Sequence, residues 1–333
     1  MPCRNERRGI EPALRSILTQ RAEGFELEVI VADGMSDDGT RDILSRLAAE
    51  DARVRVVDNP DRSTPAGLNR AIRAARGTVI ARVDAHATYD PSYLVECVRA
   101  LDETNADNVG GPAVTRAEGY VQRAIAAAFH SPWSTGGAKF HDRAFEGSVD
   151  TVQFGCWRKE LFDRVGLFDE ELIRNQDDEH NLRIVRMGGK VWQSPKIKLW
   201  YSPRGSFSEL FDQYKQYGYW KVRVIQKHRL PASLRHLVPG LFVATVGGLA
   251  LISPVNPAAF GALAAGGTLY AAALAAASIA TAKDSGWDLL PVLPFVFATY
   301  HFGYGVGFLS GVLDFVLLDR GPRKSAFELS RRV

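Results

Sequence analysis

Three aspartates set far apart along the chain stand in contexts where carboxylates do chemistry: Asp33 in VADGMSDDGT, Asp84 in RVDAHATY and Asp177 in NQDDEHNLRI. Asp84 and His86, two residues apart behind an apolar run, are placed to address one divalent ion directly or through water. A carboxylate alone suits Mg2+, and an added imidazole tilts the pair toward Mn2+. Asp177 is followed by Asp178, Glu179, His180 and Arg183 within a turn and a half of helix. Such a charge run is ordinarily a solvated face, yet a carboxylate there can also take the proton of an attacking hydroxyl. The chemistry this set suits is a metal-assisted reaction on a polyanionic substrate, with one carboxylate as base. Plainer roles stand beside it. SDDGT is a good turn sequence, so Asp33 can serve that turn or cap the next helix, His86 can bond a neighbouring loop, and Trp157 and Phe168 are more often packing residues than ligand platforms.

The elements that must position these residues read as a βα alternation. LEVIVAD reads as a buried strand, GTRDILSRLAAED as a helix, VRVVDN as a strand, TPAGLNRAIRAAR as a helix and GTVIARVDA as a strand. YDPSYLVECVRALDET follows as a helix with Pro91 near its first turn, where the missing donor is harmless. Asp33 and Asp84 then end strands of a mostly parallel, Rossmann-like sheet, whose ligands sit beyond the carboxyl ends of the strands. Residues 116–150, with SPWSTGGAKFHD, read as a mobile loop over that crevice. KVWQSPKIKLWYSPRG reads as a last strand, closing a domain at residues 1–205.

Composition sets the remainder. The chain has 333 residues, 24% of them charged, and a net charge of +3. That excess is too small to argue for nucleic acid. Cys3, Cys97 and Cys156 form no ligand cluster, and a reducing compartment fits them. MPCRNERRGIEP has no apolar core of a signal peptide, so the N-terminal domain is expected in the cytoplasm. Charge is unevenly spread: Leu237 to Ala282 and Leu289 to Leu313 contain no Asp, Glu, Lys or Arg. Residues 237–318 therefore hold two to three hydrophobic segments of membrane-spanning length. They are preceded at 206–236 by an amphipathic helix whose aromatic stripe (Phe207, Leu210, Phe211, Tyr214, Tyr217) is expected to lie in the membrane interface, and followed by a basic tail at 319–333. Lys227, Arg229 and Arg235 before the segments, and Arg320, Arg323, Lys324, Arg331 and Arg332 after them, both mark the cytoplasmic side. That requires an even number of spans, so the third segment, with Pro291, Pro294, His301 and Asp314, is expected to be broken or re-entrant.

MPCRNE, DGMSDDGT, GLNRAIRAARGTVIARVDAHA, FGCWRKELFDRVGLFDE and NQDDEHNLR, in this order, resemble the motifs of family 2 glycosyltransferases of the GT-A fold. With QYGYWKVRVIQKH and an apolar C-terminal region, the likeness narrows to the succinoglycan-type glucosyltransferases of bacterial exopolysaccharide synthesis. The resemblance covers roughly residues 1–230, and an ordered series is far more specific than one motif. It implies that Pro2, Arg4 and Glu6 line a nucleotide pocket, that Asp33 reads the uracil, and that Asp84 sits at the diphosphate and metal motif. It also implies that Asp177 is the general base and that Arg183 ends that helical motif. Asp178, Glu179, Trp157, Gln216 and Trp220 are further candidates. The sequence departs from the pattern where Asp-x-Asp becomes Asp84-Ala85-His86 and where Gln176 replaces an acid. The chain also begins inside the first strand. QYKQY at 213–217 does not match the polymerases' Gln-x-x-Arg-Trp, which favours addition of a single sugar.

The resulting expectation is an inverting, metal-dependent hexosyltransferase. It moves a sugar, with glucose the leading choice, from a UDP-sugar to a hydroxyl of a polyprenyl-diphosphate-linked saccharide, with Mg2+ or Mn2+ as cofactor. Its catalytic domain would face the cytoplasm on the inner membrane, the protein crossing the bilayer several times. Two alternatives are transfer to polyprenyl phosphate itself, held by Lys215, Lys221 and Arg223, and a non-catalytic membrane scaffold or flippase subunit.

Overall fold

Alternating strands and helices build the N-terminal layer: β1 (Pro2–Cys3), α1 (Ile10–Leu18), β2 (Val29–Asp33), α2 (Thr40–Glu50), β3 (Val54–Asp58) and α3 (Thr64–Ala74). β2 lies between β1 and β3, and both pairings are parallel. It is buried along its whole length, as a strand without a polar face must be. Ser63 caps α3 by accepting the Ala66 N–H at 3.4 Å, and Pro65 fills the first turn, a start set by local sequence. The computed structural model describes residues 1–85, 87–231 and 233–323, so the metal assignment to His86 and the tail residues Lys324, Arg331 and Arg332 lie outside the described residues.

The next elements are β4 (Val79–Ala81), β5 (Ala87–Tyr89), α4 (Tyr93–Thr104), β6 (Asn108–Gly110), β7 (Ala113–Thr115), α5 (Tyr120–Phe129), α6 (Pro132–Thr135), β8 (Gly147–Ser148), β9 (Cys156–Arg158), α7 (Leu161–Val165), α8 (Gln176–Arg186), β10 (Val191–Gln193) and β11 (Leu199–Tyr201). They form a sheet of order β4-β9-β6-β10-β8 and a smaller one of order β5-β11-β7. The mostly parallel sheet expected from sequence is here a mixed one. β9 runs antiparallel to both β4 and β6, whereas β10 and β6 are parallel. The reason is connectivity: no helical crossover leads from β6 or β4 into β9, which enters after the long excursion through α5 and α6. One core of this unit gathers Leu68, Ile72, Trp157, Leu161, Phe162, Phe168, Ile184 and Val191.

Two compact units result, one from Met1–Thr115 and Lys139–Ser202, the other from Arg116–Ala138 and Pro203–Val333. The first part of the stretch read as a mobile loop, Arg116–Ala138, thus carries two helices and belongs with the C-terminal helices, while the part from Lys139 on belongs to the first unit. YVQRAIAAAF buries Ala124, Ile125 and Ala128 in one cluster with Leu210, Tyr214, Phe297 and Tyr300. Its helical spacing was masked by the Gly, Ser and Pro residues that follow it.

The second unit continues with α9 (Phe207–His228), α10 (Val238–Ile252), α11 (Pro257–Ser285) and α12 (Leu293–Gly311), the last running into a π-helical turn, Val312–Leu317. The α9 aromatic stripe packs on protein. Leu210 and Tyr214 are buried, with Phe207 and Tyr217 packed at their edge, because α5 and α12 supply the apolar partners that the stripe needs. α10 and α11 expose large apolar side chains, Leu251 at 83% and Phe260 at 63%. Among the described residues, Leu234–Ile252 and Pro257–Ser285 are the two segments long and apolar enough to cross a membrane. α12 is different: Leu293, Val296, Phe297, Tyr300, Gly303, Gly307 and Gly311 are buried at spacings of three and four. A Cβ on Gly307 would lie 1.9 Å from the Lys215 carbonyl oxygen, and one on Gly218 would lie 2.0 Å from that of Tyr304. The α9 and α12 backbones meet where only glycine fits. Beyond them Asp314 is buried, with the Tyr219 hydroxyl at 3.0 Å and the Arg323 guanidinium at 2.7 Å.

Candidate active site

The carboxyl end of β2 forms one half of the site. The turn 36–40 is laced to residues 5–7: the Asn5 N–H donates to Ser36 Oγ (2.9 Å), Asn5 Nδ2 to Asp37 (2.9 Å), the Glu6 N–H to Thr40 Oγ1 (2.9 Å) and the Arg7 N–H to Asp38 (3.1 Å). Two segments assigned to a nucleotide pocket are therefore adjacent. Pro2 is half-buried in β1, Arg4 is exposed with its stem along Gly34, and the Glu6 carbonyl accepts the N–H groups that start α1. Asp33 is entirely buried. Its oxygens take bonds from Ser36 Oγ (2.6 Å), the Ser36 N–H (3.1 Å) and Arg41 (2.9 Å). As placed, Asp33 braces the turn.

The other half lies past β4. The Ala85 carbonyl comes so close to Gly9 that a Cβ there would stand 2.7 Å away, so the Asp84 turn packs on the same loop that precedes α1. Asp84 is 8% exposed, and its N–H donates to the Tyr89 hydroxyl at 2.7 Å. Asp177 arrives on the first turn of α8, behind Asn175, whose φ of 62° puts the helix entry in the left-handed region. Arg82 joins the two acids. It donates through Nε and Nη2 to the two oxygens of Asp84, at 3.2 Å each, and through Nη1 to Asp177, 95 residues away. Sequence reasoning missed Arg82, although its spacing of two from Asp84 at a strand end was a usable signal.

The electrostatics follow from this arrangement. Removal from water pushes the Asp177 carboxyl up to about 6, with Arg82 pulling it back and Asp84 adding to the rise. At neutral pH it remains ionised, as a proton acceptor must. Burial raises the Tyr89 hydroxyl well above its usual range. One turn along, α8 is structural. Glu179 is fully buried and accepts from Arg183 Nη2 at 2.9 Å, while Arg183 also donates to the carbonyls of Val165 and Leu167, at 2.7 Å each. His180, without exposure, bonds the Gly166 carbonyl at 3.1 Å, and burial takes its imidazole down to about 3. Asp178 is half-buried beside Asp177.

Trp157 is 2% exposed and packs edge-on against Phe162, Phe168 and His180. It belongs to the core and presents no sugar platform. Gln216 and Trp220 sit in α9 of the second unit, Trp220 buried against Tyr219 and Phe315. Lys221 is buried there and Arg223 lies over Phe315, bonded to Gln226. Among the described residues no three His, Cys, Asp or Glu side chains converge as a metal cage. A carboxylate at a crevice still fits a divalent cation held largely by substrate phosphates and water, the usual manner of Mg2+.

A mixed α/β sheet with acidic residues at its strand ends and a helix-borne aspartate beside them is the architecture of a GT-A glycosyltransferase. Residues 1–166 match the family model described as Glycosyl transferase family 2. The chain is 36% identical over 258 residues to the succinoglycan biosynthesis protein ExoA of Rhizobium meliloti, covering 77% of this chain and 78% of that protein. It is 27% identical over 236 residues to a dolichyl N-acetyl-α-D-glucosaminyl phosphate 3-β-D-2,3-diacetamido-2,3-dideoxy-β-D-glucuronosyltransferase of Methanococcus voltae, covering 68% and 73%. The mannosyltransferase PcManGT of Pyrobaculum calidifontis, solved with GDP-Man and Mn2+, superposes with a TM-score of 0.60 at 19% identity, over 91% of this chain and 85% of that one. The protein belongs to glycosyltransferase family 2 and is an enzyme of that class.

Proposed function

We propose that this enzyme is an inverting, metal-dependent hexosyltransferase of exopolysaccharide or cell-surface glycan synthesis. It moves a sugar, with glucose the leading choice, from a UDP-sugar to a hydroxyl of a polyprenyl-diphosphate-linked saccharide. The observation that carries the reading is the meeting of Asp84 and Asp177 on one guanidinium. Asp177 accepts the proton of the acceptor hydroxyl as its oxygen bonds to the anomeric carbon from the face opposite the diphosphate. The bond from that carbon to the phosphate oxygen breaks, and its electron pair leaves with UDP. Asp84 is the residue that would hold a divalent cation, which would supply neutralisation of the charge growing on UDP.

The relatives' names favour the glycan-synthesis setting and a lipid-linked acceptor: one is named for succinoglycan biosynthesis and another for transfer to a dolichyl phosphate-linked sugar. α10 and α11, apolar and exposed, serve as a membrane hairpin, and α12, packed on α9, leaves an even number of spans with both flanking basic segments on the cytoplasmic face. The enzyme then works at the inner membrane, where its acceptor is confined. Asp177→Asn tests the assignment. Transfer to lipid-extract acceptors, read by mass spectrometry, should fall at least ~1000-fold while UDP-sugar binding stays within ~3-fold, since the variant loses a proton acceptor and keeps the shape. Substantial turnover by this variant removes Asp177 from its role.

A further inference from the structure

We infer that Arg82 is a resident counter-ion that keeps a divalent cation out of the site until a nucleotide diphosphate brings it in. The inference rests on the assignment of Asp84 to the cation and goes beyond it. Arg82 is 6% exposed and forks onto both oxygens of Asp84 while its third nitrogen holds Asp177. Its backbone and its guanidinium each have a further contact. Its N–H donates to the Gly155 carbonyl at 3.0 Å, and its guanidinium lies 5.5 Å from the centroid of the Phe154 ring. Phe154 itself is fixed in the left-handed region, at φ 65°.

A cation approaching alone finds a carboxylate whose two oxygens are already bonded to a positive group, with like charge behind it. Among the described residues no three-ligand cage compensates. Charges this close and this shielded from water interact strongly, so the bare cation binds weakly. A diphosphate changes the balance by adding negative charge and oxygen ligands. Cation and nucleotide are therefore coupled, each tightening the other by the same factor. The coupling confines the metal site to the donor-loaded state without any moving lid.

The test is a titration of the full-length protein in detergent with Mn2+ alone and with Mn2+ plus UDP, free Mn2+ being read by electron paramagnetic resonance. In the wild type UDP should tighten Mn2+ binding by on the order of a hundredfold. Arg82→Gln should bind Mn2+ alone tightly enough to shrink that ratio below about tenfold, and Arg82→Lys, which keeps the charge, should restore most of it. An arginine that only braced the fold would lower the melting temperature of Arg82→Gln without tightening its hold on Mn2+. Wild-type binding of Mn2+ alone that is already within tenfold of the UDP-bound value overturns the inference, and so does an unchanged ratio in Arg82→Gln. Should Arg82→Gln not fold, the wild-type ratio and its retention in Arg82→Lys decide the matter. Wild-type protein that binds no Mn2+ even with UDP sinks the assignment of Asp84 itself, a separate failure.

Discussion

Arg183→Met tests whether α8 is held in place by its own second turn. Arg183 donates at 2.7 Å to the carbonyls of Val165 and Leu167 and to Glu179 at 2.9 and 3.1 Å, and Glu179 has no exposure. Removing one partner of a buried pair costs about 3–5 kcal/mol. Arg183 is 21% exposed, so water reaches the vacated space and the expected loss lies near the lower end, ~3 kcal/mol. Methionine keeps most of the side-chain volume, so lost packing contributes little. Urea denaturation followed by tryptophan fluorescence, to which the buried Trp157 contributes, reads this loss. The double variant Glu179→Gln with Arg183→Met should be milder, at about 1 kcal/mol, because the buried carboxylate charge is gone along with its partner. A loss below about 1 kcal/mol in the single variant, or a double variant as unstable as the single one, refutes the reasoning. The same single variant should weaken transfer, since Asp177 is aimed by the helix that Arg183 fastens.

The remaining predictions address other parts of the molecule. Gly307→Leu should destroy the α9–α12 contact and collapse thermal stability in detergent, whereas Gly247→Leu, with nothing within 4 Å of its Cβ position, should change the melting temperature by no more than a few degrees. Equal effects of the two would refute the close approach. Asn256 caps α11 by accepting the N–H groups of Ala258 and Ala259 at 2.9 and 3.1 Å, so Asn256→Ala should cost about 1 kcal/mol in a denaturation midpoint. His180 has its imidazole lowered to about 3 by burial, with Arg183 adding to the effect. The unfolded chain binds this proton as pH falls below its ordinary value near 6.5, and the folded protein resists until about 3. Stability is thus full above that ordinary value and declines by up to ~1.4 kcal/mol per pH unit in between. His180→Phe should flatten the slope of melting temperature between pH 6 and pH 4; an unchanged slope would place the acid sensitivity elsewhere.

What the sequence shows and what it hides divides along a physical line. The alternation around VIVAD and the capped start at Ser63 were legible because propensity, burial and cap are all local. The sheet's mixed direction was not, since antiparallel β9 is set by where a long excursion returns. The α9 stripe has the same spacing whether lipid or protein covers it, and only the docking of α5 and α12 distinguishes the two. Trp157 likewise carries no mark of being core until Phe162, Phe168 and His180 close round it. Asp33 was readable as a site residue or as a turn brace; the bonds from Ser36 and Arg41, both within eight residues of it, show the brace and do not bear on the nucleotide. Arg82 stands on both sides of the line. Its hold on Asp84 is written in a spacing of two residues, but its hold on Asp177 spans 95 and exists only in the fold, so the pairing that makes the two acids one site could not be read from either motif alone.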